Sequence, residues 1–155
     1  MRWTMSPTLY LVLRIVHIAS MAVWFGGDLL ATSEARRTLE EGGDPKLLQA
    51  RMKRALTLSQ LSGLATAASG VAMIFAHGGF AKVKPTIHAG LGLTVVALAV
   101  TFIWLLPAWG KVSDLIDDGY EKFAEDAKKA ARKITPAFGT LHLLRAIVLV
   151  LMIWR

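Results

Sequence analysis

Apolar residues fill four stretches of this chain, roughly 9–31, 58–76, 86–106 and 137–154, and charged residues return in blocks between them. Each run holds about 20 residues, the length a helix rising about 1.5 Å per residue needs to cross a ~30 Å hydrocarbon core. None alternates with period two, and an open sheet could not satisfy its backbone groups in lipid, so the pattern predicts four transmembrane α-helices. The first run is a poor secretion signal, because Arg14 and His17 interrupt it and it is too long. It is expected to stay in the mature protein.

Polar positions inside the runs are not scattered. In the first, Tyr10, Arg14, His17, Met21, Trp24 and Asp28 advance in steps of three and four. Ser59, Ser62, Thr66, Ser69, Met73 and His77 do so in the second, and Phe138, His142, Arg145, Leu149 and Met152 in the fourth. Such spacing places each set on one helix face, the seam of a packed bundle. The expectation is an all-α, up-and-down four-helix membrane bundle, residues 1–155 forming one domain.

The punctuation agrees. Gly42-Gly43 should end the first helix past the membrane, with Asp44 as cap and Pro45 as first residue of the second. Gly78-Gly79 and Pro85 bracket a short hairpin. Between the third and fourth spans, Val112, Leu115, Ile116, Phe123, Ala127, Ala131 and Ile134 recur at helical spacing, which predicts an amphipathic helix at the cytoplasmic membrane surface, with a solvated linker helix as the alternative.

Composition supports lipid as the solvent: 54% of residues are hydrophobic and the mean hydropathy is +0.48. The net charge of +7 first suggests nucleic acid, but its distribution argues for membrane orientation instead. Arg36, Arg37, Lys46, Arg51, Lys53, Arg54, Lys111, Lys122, Lys128, Lys129, Arg132 and Lys133 all fall in the two connections on one side, against Arg2, Lys82, Lys84 and Arg155 on the other. That bias puts the connections in the cytoplasm and both termini outside, as in a multi-pass protein of a bacterial cytoplasmic membrane. Trp3, Trp109 and Trp154 read as interfacial belts, Trp24 and Trp104 as core.

Candidate chemistry centres on the histidines. There are four, His17, His77, His88 and His142, one at or in each span, and there is no cysteine. Disulfides, iron–sulfur clusters and thioether-linked haem are therefore excluded. Counted by depth, His17, His77 and His88 fall in the outer half and His142 deeper. Two imidazoles on facing helices could clamp a haem iron, Arg14 and Arg145 could pair with haem propionates, and Gly26, Gly27, Gly90, Gly92 and Gly139 would let a flat macrocycle approach the backbone. These parts suit haem b. Copper is the alternative cofactor, with Met73 and His77 one turn apart and Met1, Met5, Met21 and His88 extending a soft-ligand path. Asp28 is a further acid, suited to proton or quinone chemistry or to a helix end. No phosphate-binding loop, nucleophile elbow or H-E-x-x-H motif occurs.

The run VHIASMAVWFGG, with His17 and then Trp24-Phe-Gly-Gly27, resembles the first-helix motif of the CopD-like membrane superfamily, which includes copper-resistance D domains and the HemJ type of protoporphyrinogen oxidase. The four-span layout, the arginines after the first helix and the histidine in Thr86-Ile-His88 are similar to the HemJ type in order and spacing. The resemblance implies haem b held at His17 and His88, with Trp24 and Gly27 beside it. The chain departs from that type at Gly90, where a lysine is usual, at Ile134-Thr-Pro-Ala-Phe, where an Asn-Glu-x-Pro-like motif is usual, and at His142, which has no counterpart.

The function expected is that of a small membrane cytochrome b exchanging electrons with a quinone or another redox protein. HemJ-like oxidation of a porphyrinogen is the enzymatic alternative and CopD-like copper transport the other. His17 is the first-choice ligand; His88, His142 and His77 compete for the remaining positions. A bundle this small has little interior for a macrocycle, so a homodimer is expected to complete the pocket.

Overall fold

A computed structural model describes residues 6–41 and 43–153; inside its helices the side chains at 28, 30, 36, 39–41, 120–125 and 127–133 are outside the description. The chain forms α1 (Pro7–Glu41), α2 (Pro45–Ala76), α3 (Pro85–Val100), α4 (Leu106–Asp117) and α5 (Tyr120–Ile153). A 3-10 turn, Phe80–Lys82, lies between α2 and α3, and a single π turn, Thr101–Leu105, fuses α3 to α4. Among the described residues four segments are long and apolar enough to cross a bilayer: Pro7–Ala35, Pro45–Ala76, Pro85–Asp117 and Ile134–Ile153. Helix α1 packs on α2 and α5, α2 packs on α3, and α3 and α4 pack on α5, which closes the ring of an up-and-down four-helix bundle. One end, here the termini end, carries the start of α1, the end of α5 and the α2–α3 hairpin; the other, here the loop end, carries the α1–α2 and α4–α5 turns.

Local chemistry accounts for the boundaries. The Asp44 side chain accepts the Lys46 N–H at 2.9 Å and Pro45 occupies the first turn, so α2 begins where its unpaired donors are met. At the hairpin, Gly78 and Gly79 take φ of 102° and 92°, which side-chain-bearing residues rarely adopt.

The π turn has an identifiable cause. Pro107 has no N–H to give, and its ring would press on the carbonyl of the residue four before it in a regular helix. The Leu106 N–H reaches back five residues to the Thr101 carbonyl, widening the turn just ahead of that proline. One inserted residue rotates the remainder of the rod by about 100°. Trp104, expected in the core, is 42% exposed, and Trp109, expected at an interface, is 7% exposed and packed inside. Trp3 and Trp154 lie outside the described residues.

The third connection also differs from expectation. No separate surface helix spans Gly110 to Thr135; α4 carries the third rod on to Asp117, the chain reverses at Gly119 (φ 122°), and α5 starts at Tyr120. Val112, Ile116 and Ile134 are buried in the bundle. Apolar positions at helical spacing cover a neighbouring helix as readily as a membrane surface, and only packing decides between them. The side chains of Phe123, Ala127 and Ala131 lie outside the described residues.

The buried cluster is concentrated from mid-bundle to the loop end, with Trp24, Leu48, Met52, Leu105, Val112, Phe138 and Leu141 almost fully enclosed. Toward the termini end α1 is open: Leu9, Leu11, Val12, Ile15, Val16 and Ile18 are all exposed. Lipid is as apolar as these side chains, so helices associate in it through close packing and polar contacts rather than through hydrophobic burial. Gly63 provides such packing: a Cβ there would lie 3.0 Å from the Trp24 ring and 3.1 Å from a Leu98 methyl, whereas one at Gly92 would meet nothing within 4 Å. Gly63→Ala is therefore expected to cost about 1–3 kcal/mol by overpacking, and Gly92→Ala to stabilise slightly through helix propensity, by up to about 1 kcal/mol. Unfolding of the detergent-solubilised variants, followed by circular dichroism, measures both.

Candidate functional site

A polar seam runs through the apolar bundle along α1, α2 and α5. It begins on α2, where Ser59, Ser62, Thr66 and Ser69 are buried, as the sequence stripe predicts. Each hydroxyl except that of Ser59 donates to a carbonyl one turn back: Ser62 to Leu58 at 2.7 Å, Thr66 to Ser62 at 2.8 Å and Ser69 to Ala65 at 2.6 Å. These bonds let polar side chains enter lipid without stranded donors.

Helix α1 docks on this stripe through two of its own residues. Gly63 and Gly70, seven apart on α2, receive Trp24 and His17, seven apart on α1; a Cβ at Gly70 would lie 3.2 Å from the His17 ring. His17 Nδ1 lies 3.0 Å from the Thr66 carbonyl and 3.1 Å from the Ser69 hydroxyl. A carbonyl only accepts, so Nδ1 carries the proton and Nε2 the lone pair. Among the described residues nothing hydrogen-bonds Nε2, and the ring is half-buried. The Thr66 and Ser20 hydroxyl oxygens lie 3.0 Å apart, a second polar contact between the two helices one turn deeper.

Mid-bundle, Arg145 of α5 is fully enclosed. Its guanidinium carbon stands 4.6 Å from the Trp24 ring centroid, and Nη2 donates to the Ser59 hydroxyl at 3.3 Å. The cation thereby joins three helices: α1 through the indole face, α2 through the hydroxyl and α5 through its own backbone. A desolvated cation–π contact contributes about 2 kcal/mol.

His142, one turn nearer the loop end, has Nε2 3.2 Å from the Thr32 hydroxyl of α1, and its ring lies 19° from parallel to Phe138 with centroids 6.4 Å apart. His88 is exposed; its Nε2 donates to the Phe80 carbonyl at 3.1 Å and its ring rests on Phe80, 5.9 Å between centroids. His77 is exposed at the end of α2. The expected convergence of His17, His77 and His88 is thus not drawn in contacts: each imidazole has its own set of neighbours. Among the described residues no group of three or more His, Cys, Asp or Glu is placed to hold a metal ion.

The one-face reading of α1 holds for His17, Met21 and Trp24, but Tyr10 and Arg14 are exposed, because α1 is covered only from His17 inward. On α5, Leu149 and Met152 are exposed and Leu141 and Val148 take the inward positions. The Asp28 side chain lies outside the described residues, as do Met1 and Met5; Met21 is core. A Cβ at Gly26, Gly27, Gly90, Gly92 or Gly139 would meet nothing within 4 Å, so these glycines leave open space beside α1, α3 and α5. Thr32, Ser20 and the Gly63/Gly70 pair were not singled out in the sequence; the matching seven-residue spacings of Gly63/Gly70 and His17/Trp24 were the available signal.

The donor chemistry at His17 suits haem iron or another soft-to-borderline metal: an imidazole held at Nδ1 by backbone and hydroxyl, with Nε2 bare, is how proteins orient a histidine ligand. Arg14, one turn toward the termini end and exposed, suits an anionic group beside it. Arg145 is fully enclosed, with Trp24 and Ser59 among its contacts. Comparisons with family models, with curated proteins and with solved structures found no match.

Two outcomes are expected. Arg145→Ala removes a side chain packed on Trp24 and is expected to cost about 2–5 kcal/mol, while Arg145→Met keeps the stem's volume and is expected to cost less than Arg145→Ala; denaturant titration in detergent compares them. Nitrogen-15 spectra of histidine-labelled protein should show His17 with a protonated Nδ1 and a bare Nε2.

Proposed function

We propose that this chain is a membrane haem b protein in which His17 would ligate the haem iron and Arg14 would pair with a carboxylate of the haem. The observation that carries the reading is the His17 ring: Nδ1 fixed on the Thr66 carbonyl and the Ser69 hydroxyl, Nε2 uncommitted. Bound there, haem b would supply a one-electron couple suited to exchange with a quinone or a redox protein. Thr66 and Ser69 hold the ring's orientation, Gly70 gives it room against α2, and the exposed apolar surface of α1 keeps water from its neighbourhood in the bilayer.

The mid-bundle interior is filled by Trp24, Phe138, Leu141 and Val148, so the macrocycle would lie against the open outer half of α1. That surface could be shared by two copies, each contributing a His17. The basic loop end faces the cytoplasm of a bacterial cell in this reading, following the positive-inside bias.

The purified protein from haem-supplied cells is expected to show a Soret band and a sharp reduced α band, with about one haem per two chains if the surface is shared. His17→Ala should abolish the band while circular dichroism remains that of a helical bundle; His142→Ala should leave it. Colourless protein carrying copper would favour the CopD-like alternative, and rescue of cells lacking porphyrinogen oxidase would favour the HemJ-like enzyme. A folded, metal-free and colourless protein would end the proposal.

A further inference from the structure

At the loop end the structure holds a cavity of about 330 Å³ between the end of α1 and the start of α2. Its size is at the lower end of that of small-ligand pockets. Glu34, Arg37, Asp44 and Arg51 line it with charge, and Leu47 and Leu48 supply an apolar wall. Glu34 and Arg51 pair across the two helices, and the Asp44 carboxylate caps α2 through the Lys46 N–H. The cavity begins where the apolar part of α1 gives way to charge, close to the level of Ala35, the last residue of its candidate span. That is headgroup depth, in the polar layer flanking a ~30 Å core.

We propose that this cavity binds the headgroup of a phospholipid that carries both a phosphate and a primary ammonium. Two guanidinium groups match the phosphodiester, and guanidinium is the side chain whose planar fork suits phosphate oxygens. Two carboxylates match an ammonium with three N–H donors. A headgroup with only the phosphate would leave Glu34 and Asp44 facing an anion, and one with a quaternary amine could not donate to them. The leucine wall suits the glycerol and first acyl carbons. The existing contacts are no obstacle: Glu34 and Arg51, which pair, are well exposed at 42% and 54%, Arg37, which has a partner of its own, is exposed too, and exposed charges exchange partners at little cost.

The test uses the full-length protein in nanodiscs and in native mass spectrometry. Phosphatidylethanolamine is expected to be retained about three- to fivefold over phosphatidylcholine and phosphatidylglycerol, the range exposed charged contacts supply. Glu34→Gln should erase the preference over phosphatidylglycerol, and Arg37→Gln with Arg51→Gln should lower retention of all three lipids. Should either variant fail to fold, the lipid preference of the unsubstituted protein decides alone. Equal retention of the three lipids would overturn the proposal. So would soluble phosphoethanolamine binding as tightly as the lipid, which would assign the cavity to a free metabolite. Haem content is a separate readout, independent of these results.

Discussion

The bundle depends on satisfying polar groups where no water can do it. An enclosed arginine in lipid costs at least about 2.5–3.5 kcal/mol on insertion scales, and Arg145 is met by an indole face and a serine hydroxyl from two other helices. Those contacts exist only when α1, α2 and α5 are in register. The cation therefore selects one arrangement among many that apolar helices could adopt in a solvent as greasy as they are.

That register also sets the rest of the seam. With Trp24 seated against Gly63 below the guanidinium, two turns of α1 bring His17 to Gly70, where the Thr66 carbonyl and Ser69 take its Nδ1. On the other side of Arg145, His142 reaches Thr32. The same contacts that glue the helices thus hold Nδ1 of His17 on α2 and tie Nε2 of His142 to α1. Along a single stripe, His17 is held by α2 beside the open part of α1, whereas His142 is held across the bundle by Thr32 of α1.

Asymmetry along the membrane normal is the second organising feature. The loop end is tightly packed and basic, with its charged cavity between α1 and α2; toward the termini end α1 is open, with exposed apolar residues, Arg14 and the half-buried His17. A ligand bound at each end would meet different surroundings, headgroups at one and acyl chains at the other.

Much of this was legible in the residues: four helices, the Asp44 cap, the Gly78-Gly79 hairpin and the buried serine stripe follow from hydropathy, spacing and turn chemistry, all local properties. The exposure of Trp104, the burial of Trp109 and the continuation of α4 to Asp117 were not, because one residue inserted by the π turn changes which face every later position presents. The partners of the histidines were likewise decided by tertiary structure. Sequence places an imidazole on a helix and at a depth, but its hydrogen bonds depend on which neighbouring helix lies across from it and at what offset. That offset was set by glycines and a buried cation acting between segments far apart along the chain, beyond the reach of any pattern read in the order of its residues.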